Sequence, residues 1–260
     1  MQALAIRLLG TPIEMRDYFP LLKWMILTGV ALFGLIATWH FGLLQLMLDS
    51  DKSYISLTIL IIYGLTSMHC AYHTFHISRE INGAHRVEED IRGGADGFRI
   101  VDDRVILSNG RELFPCRVTD HIHNLVTKSR NQGSAALDQT LLLRSLADSL
   151  KGRQQIGWFI ADALLKLGLL GTIIGFILML GPISKISAFD VGTMKDALST
   201  MSGGMAVALF TTLAGLVGGT LLKVQYYLLD DGTAYLFGLA TDLTEVHVVS
   251  VLDQEAHGQL

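Results

Sequence analysis

Two long stretches of this chain, Leu167 to Leu180 and Ala197 to Leu222, contain no carboxylate, and their main interruptions of apolar sequence are glycine and threonine. A polar seam without an acid has no titrating group of its own, so an ion passing along it needs one from another chain. Charge is scarce throughout. Asp, Glu, Lys and Arg make up 17% of the 260 residues against 50% hydrophobic, and the mean hydropathy is +0.43, which excludes an ordinary soluble domain. The two cysteines, Cys70 and Cys116, are too few for a disulfide framework and fit a reducing compartment. There is no basic run for nucleic acid, no Ser, His and Asp spacing of a nucleophilic site, no lipidation signal and no internal repeat. Gly93-Gly94 precedes a β-prone stretch and lacks the lysine of a phosphate loop. Neither an enzyme nor a cofactor is indicated.

What is present is length in apolar runs. Crossing a hydrocarbon core of roughly 30 Å takes about 20 apolar helical residues. Four stretches qualify: Leu22 to Leu48, Ile55 to Ile77, Ile160 to Gly181 and Ala197 to Leu229. The first is too long for the apolar part of a signal peptide and reads as a retained span. Twelve Lys and Arg lie between Ser78 and Gly157 and three more up to Lys23, whereas the other loops offer only Lys52, Lys185 and Lys195. Basic residues favour the cytoplasmic side, so both termini and the large loop are expected there. The expected fold is an all-α integral membrane protein with four transmembrane helices, the last two extended into the cytoplasm, and a small β-hairpin in the loop. By segment, 1–21 is a cytoplasmic lead, 22–77 the first two spans, 78–157 the loop, 158–229 a channel-like helix pair and 230–260 a tail helix.

In the loop, Phe98 to Leu107 and Arg111 to Cys116 flank Ser108-Asn109-Gly110, and Asn-Gly between β-prone runs predicts a hairpin turn there. No proline occurs from Asp138 until Pro182, and Leu142, Leu146 and Leu150 repeat at helical spacing, which predicts one continuous helix weakened at Gly152 and Gly157. Leu236, Leu239, Leu243 and Val246 form an apolar stripe in the tail, with Asp242 and Glu245 on its polar side. Arg144, Lys151 and Arg153 on the facing helix predict that the two extensions pack together.

Gly168, Gly171 and Gly175 in the third span and Gly204, Ala208, Gly215 and Gly219 in the fourth share helical faces, the spacing that lets membrane helices approach closely. Thr172, Thr211 and Thr212 lie beside them. One threonine in lipid bonds back to its own helix; three at one depth can form a polar ring that orients water or solvates a carboxylate. Asp162 and Lys166, four apart, predict an intrahelical pair at the inner mouth.

The run Leu167-Gly168-Leu169-Leu170-Gly171-Thr172-Ile173-Ile174-Gly175-Phe176 resembles the second-span motif of the MotA/TolQ/ExbB proton channel family. Gly204-Met205-Ala206-Val207-Ala208-Leu209-Phe210-Thr211-Thr212-Leu213-Ala214-Gly215-Leu216 is similar to its final span. The resemblance covers Trp158 to Leu229. It implies a pentameric ring in the bacterial inner membrane around two single-span helices of a MotB/TolR/ExbD-like partner, whose aspartate takes up and releases ions beside the threonines. It places Thr172 and Thr212 at pore-facing positions, while Thr211 is added from its place in the seam alone. Val207 stands where ExbB and TolQ members carry a glutamate, and Leu221 near their proline. Four spans with a large loop resemble MotA, whereas the Leu-Gly-Leu-Leu-Gly-Thr motif resembles ExbB and TolQ. Two other readings stand beside this one: a solute or metal transporter using His69, His73 and His76, and a non-conducting scaffold held by glycine packing.

Overall fold

The computed structural model describes residues 19–51, 53–93, 97–101, 104–132, 137–152, 154–181, 191–256 and 258. Most of the amino-terminal lead, the stretch Pro182 to Asp190 between the last two predicted spans with Lys185, Gly94, and the basic residues Lys52 and Arg153 fall outside them. The chain divides into two compact units interleaved in sequence, Trp24–Tyr72 with Arg153–Leu228, and Met1–Lys23 with His73–Gly152 and Leu229–Leu260. Among the described residues four helices are long and apolar enough to cross a membrane.

The first unit holds the apolar helices. α1 (Phe19–His40) is shorter than the predicted span, because Gly42 takes φ 72° and the chain turns there before a short α2 (Leu43–Ser50). A residue without a Cβ adopts that left-handed conformation at no steric cost. Asp51 follows, buried, its carboxylate accepting hydrogen bonds from the Ser53 amide at 3.0 Å, the Ser53 hydroxyl at 2.6 Å and the Ser56 amide at 2.6 Å. Burial acts to raise the Asp51 pKa, but these donors together hold it below its usual 3.8. They fix the start of α3 (Ile55–Arg92). α6 (Gln155–Leu180) and the first part of α7 (Val191–Leu243) complete this unit.

α3 continues well past the predicted end at Ile77, and at about 1.5 Å per residue is roughly 57 Å long. Ile77, Ile81, Ala84, Val87 and Ile91 remain buried at helical spacing, and Glu88 pairs with His85 at 3.3 Å and Arg92 at 2.7 Å along the helix. This second half of α3, from His73 on, belongs to the second unit. β1 (Phe98–Val101) pairs antiparallel with β2 (Arg104–Leu107), Phe98 opposite Leu107 and Val101 opposite Arg104. Both paired strands therefore lie within the first predicted run, Phe98 to Leu107, and not on either side of Ser108-Asn109-Gly110. Asn109-Gly110 makes a turn, with Gly110 at φ 79°, and the following segment adds only one bridge, Ile106 to Glu112.

α4 (Arg117–Gln132) presents Val118, Ile122, Leu125 and Val126 inward, spaced as one helical face. Its first amide, on Arg117, donates to Glu80 Oε2 of α3 at 2.8 Å, a carboxylate placed at the positive end of a helix. Burial pushes the Cys116 thiol pKa up. α5 (Thr140–Lys151) begins after Asp138, whose Oδ1 accepts from the Thr140 amide at 2.9 Å. The predicted continuous helix is interrupted: α5 ends at Lys151 and α6 restarts at Gln155, at Gly152, where helix propensity is lowest.

α7 continues to Leu243, opens into a π-helical turn (Thr244–Val249) and closes with α8 (Ser250–Ala256). The extra residue per turn in a π segment rotates the face that follows. Leu236 and Leu243 are buried as predicted, but Val246 is exposed and Val248 and Val249 turn inward instead. The tail meets the segment before α5 through polar groups, Thr244 and Gln139 among them buried: Thr244 Oγ1 donates to Gln139 Oε1 at 3.2 Å, Gln139 Nε2 donates to Glu245, and the Leu137 amide to Asp253 Oδ1 at 3.3 Å. Arg144 and Lys151 stay exposed.

His121 of α4 is buried, and that burial lowers its pKa below the usual 6.5 despite a hydrogen bond with Gln139. The unfolded chain then takes up the proton first, so the stability tied to a neutral His121 is present above about pH 6.5 and lost as pH falls. Thermal melts between pH 7 and 5 should show this loss, and His121→Asn should flatten it. A slope unchanged by the substitution would assign the effect elsewhere.

Candidate functional site: the α6/α7 seam

α6 and α7 run antiparallel with their backbones in contact, because glycine faces glycine along the seam. A β-carbon on Gly168 would stand 3.1 Å from Gly215 Cα, one on Gly175 2.6 Å from the Ala208 amide nitrogen, and one on Gly204 2.6 Å from the Met179 nitrogen. Gly219 packs on the Ala161 carbonyl at 2.9 Å, measured the same way. The seven small residues singled out from spacing all lie in this contact, the close approach expected of small residues in membrane helices.

The three threonines separate by environment. Thr211 is fully buried, seated in the notch left by Gly171, where an added β-carbon would lie 2.3 Å from Thr211 Oγ1. Its hydroxyl donates back to the Val207 carbonyl at 2.8 Å. Thr172 and Thr212 are only partly covered. Thr172 Oγ1 donates to the Leu169 carbonyl at 2.5 Å, and Thr212 Oγ1 to the Ala208 carbonyl at 2.8 Å, with Gly168 O of α6 3.4 Å away. In both, the hydroxyl proton is occupied by the helix while lone pairs remain to accept. Beside Thr172 opens a groove of about 400 Å³ lined by Ile173, Phe176, Met179, Met205 and Ala208. Val207 is buried, so a glutamate there would need a partner inside the helix cluster.

Asp162 does not make its closest contact along its own helix. Its carboxylate meets Lys223 of α7 at 2.6 Å, both side chains substantially exposed. The pair spans the two helices of the seam at one end. Exposed ion pairs contribute under about 1 kcal/mol. Asp162→Asn, Lys223→Met and the double variant should therefore all unfold within about 1 kcal/mol of the parent in detergent micelles; a larger loss would mark the pair as structural.

The histidines of α3 are engaged in ways that spacing does not reveal. His69 Nδ1 lies 2.9 Å from the Tyr226 hydroxyl of α7, and His76 Nε2 lies 3.9 Å from Glu80, one turn on. Among the described residues, no three or more His, Cys, Asp or Glu side chains are grouped to hold a metal ion. Sequence reasoning also missed Gln225 and Tyr226, fully buried on α7. The available signal was a glutamine in an apolar run beside a tyrosine.

No curated protein and no solved structure matches the chain. The segment 124–233, which contains all of α6 and α7 as far as Thr233, matches the model of the MotA/TolQ/ExbB proton channel family.

Proposed function

We propose that this multi-pass membrane protein is the ion-conducting subunit of an inner-membrane stator, a ring of five copies around a single-span partner of the MotB/TolR/ExbD kind that carries the titrating aspartate. Both termini and the large loop face the cytoplasm, and the ion is the proton. The observation that carries this reading is a glycine-sealed helix pair, within the family segment, with two partly exposed threonines and no carboxylate between Leu167 and Leu180 or between Ala197 and Leu222.

A carboxyl brought into an apolar ring resists ionisation, because burial raises its pKa. Thr172 and Thr212, their protons held by their own helices, accept from a protonated acid. When the acid ionises, each hydroxyl must rotate from its carbonyl to donate to the anion. The proton leaves on one side as the acid ionises; uptake of another from the opposite side neutralises the acid and returns each hydroxyl to its helix, and each cycle moves the ring between rotational states. Membrane potential supplies about 2.3 kcal/mol per charge per 100 mV.

Co-expression with an aspartate-bearing single-span partner should give output that an uncoupler abolishes and that neither chain gives alone. Native mass spectrometry of the purified complex should count five copies. Gradient-dependent transport by the chain alone would point to a different class of protein.

A further inference from the structure

At one point on α7, two adjacent buried residues reach three other apolar helices. Gln225 Nε2 donates to Ser67 Oγ of α3 at 3.0 Å and to Thr28 Oγ1 of α1 at 3.3 Å. Tyr226 hydrogen-bonds His69 of α3, and its ring lies over Gly157 of α6, where a β-carbon would stand 1.9 Å from Tyr226 Cζ. Both side chains have no exposure. α1 and α3 lie outside the segment that the family describes, so nothing in that segment accounts for bonds reaching them.

We infer that Gln225 and Tyr226 are positioning residues that lock the first two spans onto the channel helix and hold the α6/α7 seam, with Thr172 and Thr212, at its working level. This rests on the function proposed above. The chemistry selects register more than adhesion. Leucine fills nearly the volume of glutamine and packs without desolvating an amide. Were adhesion the purpose, an apolar residue would serve. The buried Gln225 amide donates to Ser67 and Thr28, and a slip of one turn carries it away from both into apolar surroundings. The same reasoning makes a single polar residue the register-setting element of other helix assemblies. Tyr226 does the complementary work on α6, since only glycine at 157 admits its ring. The first two spans are then a working part of the stator.

The test is a double-mutant cycle of Gln225→Leu and Ser67→Ala, read two ways. Ile59→Cys with Gly218→Cys reports register in membranes containing this chain alone, since Ile59 Cγ2 lies 3.8 Å from where a Gly218 β-carbon would stand. Ion-driven output with the partner reports function. Each single variant should cut cross-linking roughly three- to tenfold, as an interhelical hydrogen bond warrants, and output should fall alongside. The double variant should be no worse than Gln225→Leu, because that variant already removes the bond to Ser67 along with the one to Thr28. Chemical unfolding of Gln225→Leu should remain at least as costly as that of the parent. Unchanged cross-linking, or a change in only one of the two readouts, overturns the inference. Should Gln225→Leu fail to accumulate, Tyr226→Phe keeps the ring over Gly157 and loses only the His69 bond; it should move both readouts in the same direction, and no movement overturns the inference equally. If the parent with its partner shows no gradient-dependent output, the proposed function fails, while the cross-linking cycle still judges the lock.

Discussion

Gly175→Ala and Gly204→Ala should each force α6 and α7 apart, at a cost of at least about 2 kcal/mol, while Gly203→Ala, one residue away, should be neutral or stabilising. The contrast comes from what an added methyl meets. At Gly175 it would stand 2.6 Å from the Ala208 nitrogen and 2.7 Å from the Gly204 carbonyl, and at Gly204 2.8 Å from the Gly175 carbonyl. These are backbone atoms and cannot rotate away as a side chain does. At Gly203 nothing lies within 4 Å, and alanine is favoured over glycine in a helix by about 0.8–1.0 kcal/mol. Unfolding in mixed detergent micelles, followed by the fluorescence of Trp158 and the other tryptophans, measures all three. Equal effects at 203 and 204 would show that glycine serves backbone flexibility here and not contact.

The seam was the most legible part of the chain because its cause is local. Glycines three and four residues apart fall on one face by helix geometry alone, and the structure puts Gly168 against Gly215 and Gly175 against Gly204. The continuation of α3 was equally written in Ile77, Ile81, Ala84, Val87 and Ile91, but a span length fitted to a membrane cut the helix at the first of them. Other features depend on partners distant in sequence. Asp162 has Lys166 one turn away, yet its 2.6 Å contact is with Lys223, which only the antiparallel register of α6 and α7 brings near. Val246 belongs to an unbroken stripe on paper, and a π-helical turn turns it outward. Gln225 looked like an isolated polar residue, because its acceptors Ser67 and Thr28 come from helices encoded far upstream. Spacing also treated Thr211 and Thr212 alike, although their neighbouring positions place one against Gly171 and leave the other partly open.

That difference gives the second large effect. Thr172→Val and Thr212→Val should each lower ion-driven output by roughly tenfold or more, since a hydrogen bond to a charged group contributes about 1.5–3 kcal/mol. Thr211→Val should leave output within about twofold, by the weakness of a back-bond to its own helix. Valine keeps the branched shape of threonine, so each substitution removes a hydroxyl and little volume. At 211 the retained methyl still fills the notch at Gly171, and the lost hydroxyl reached only carbonyls of its own helix, Val207 and Ala208. On the proposed mechanism, the hydroxyl at 172 and 212 is the group that turns toward the partner's anion. Thr172→Ser and Thr212→Ser restore the hydroxyl without the methyl and should recover most of the output, which a defect of packing would not allow. Assembly should be unchanged in all five variants by native mass spectrometry. Serine failing to rescue, or Thr211→Val losing as much as Thr212→Val, would move the ion path away from the two partly open hydroxyls and onto the buried face of the seam.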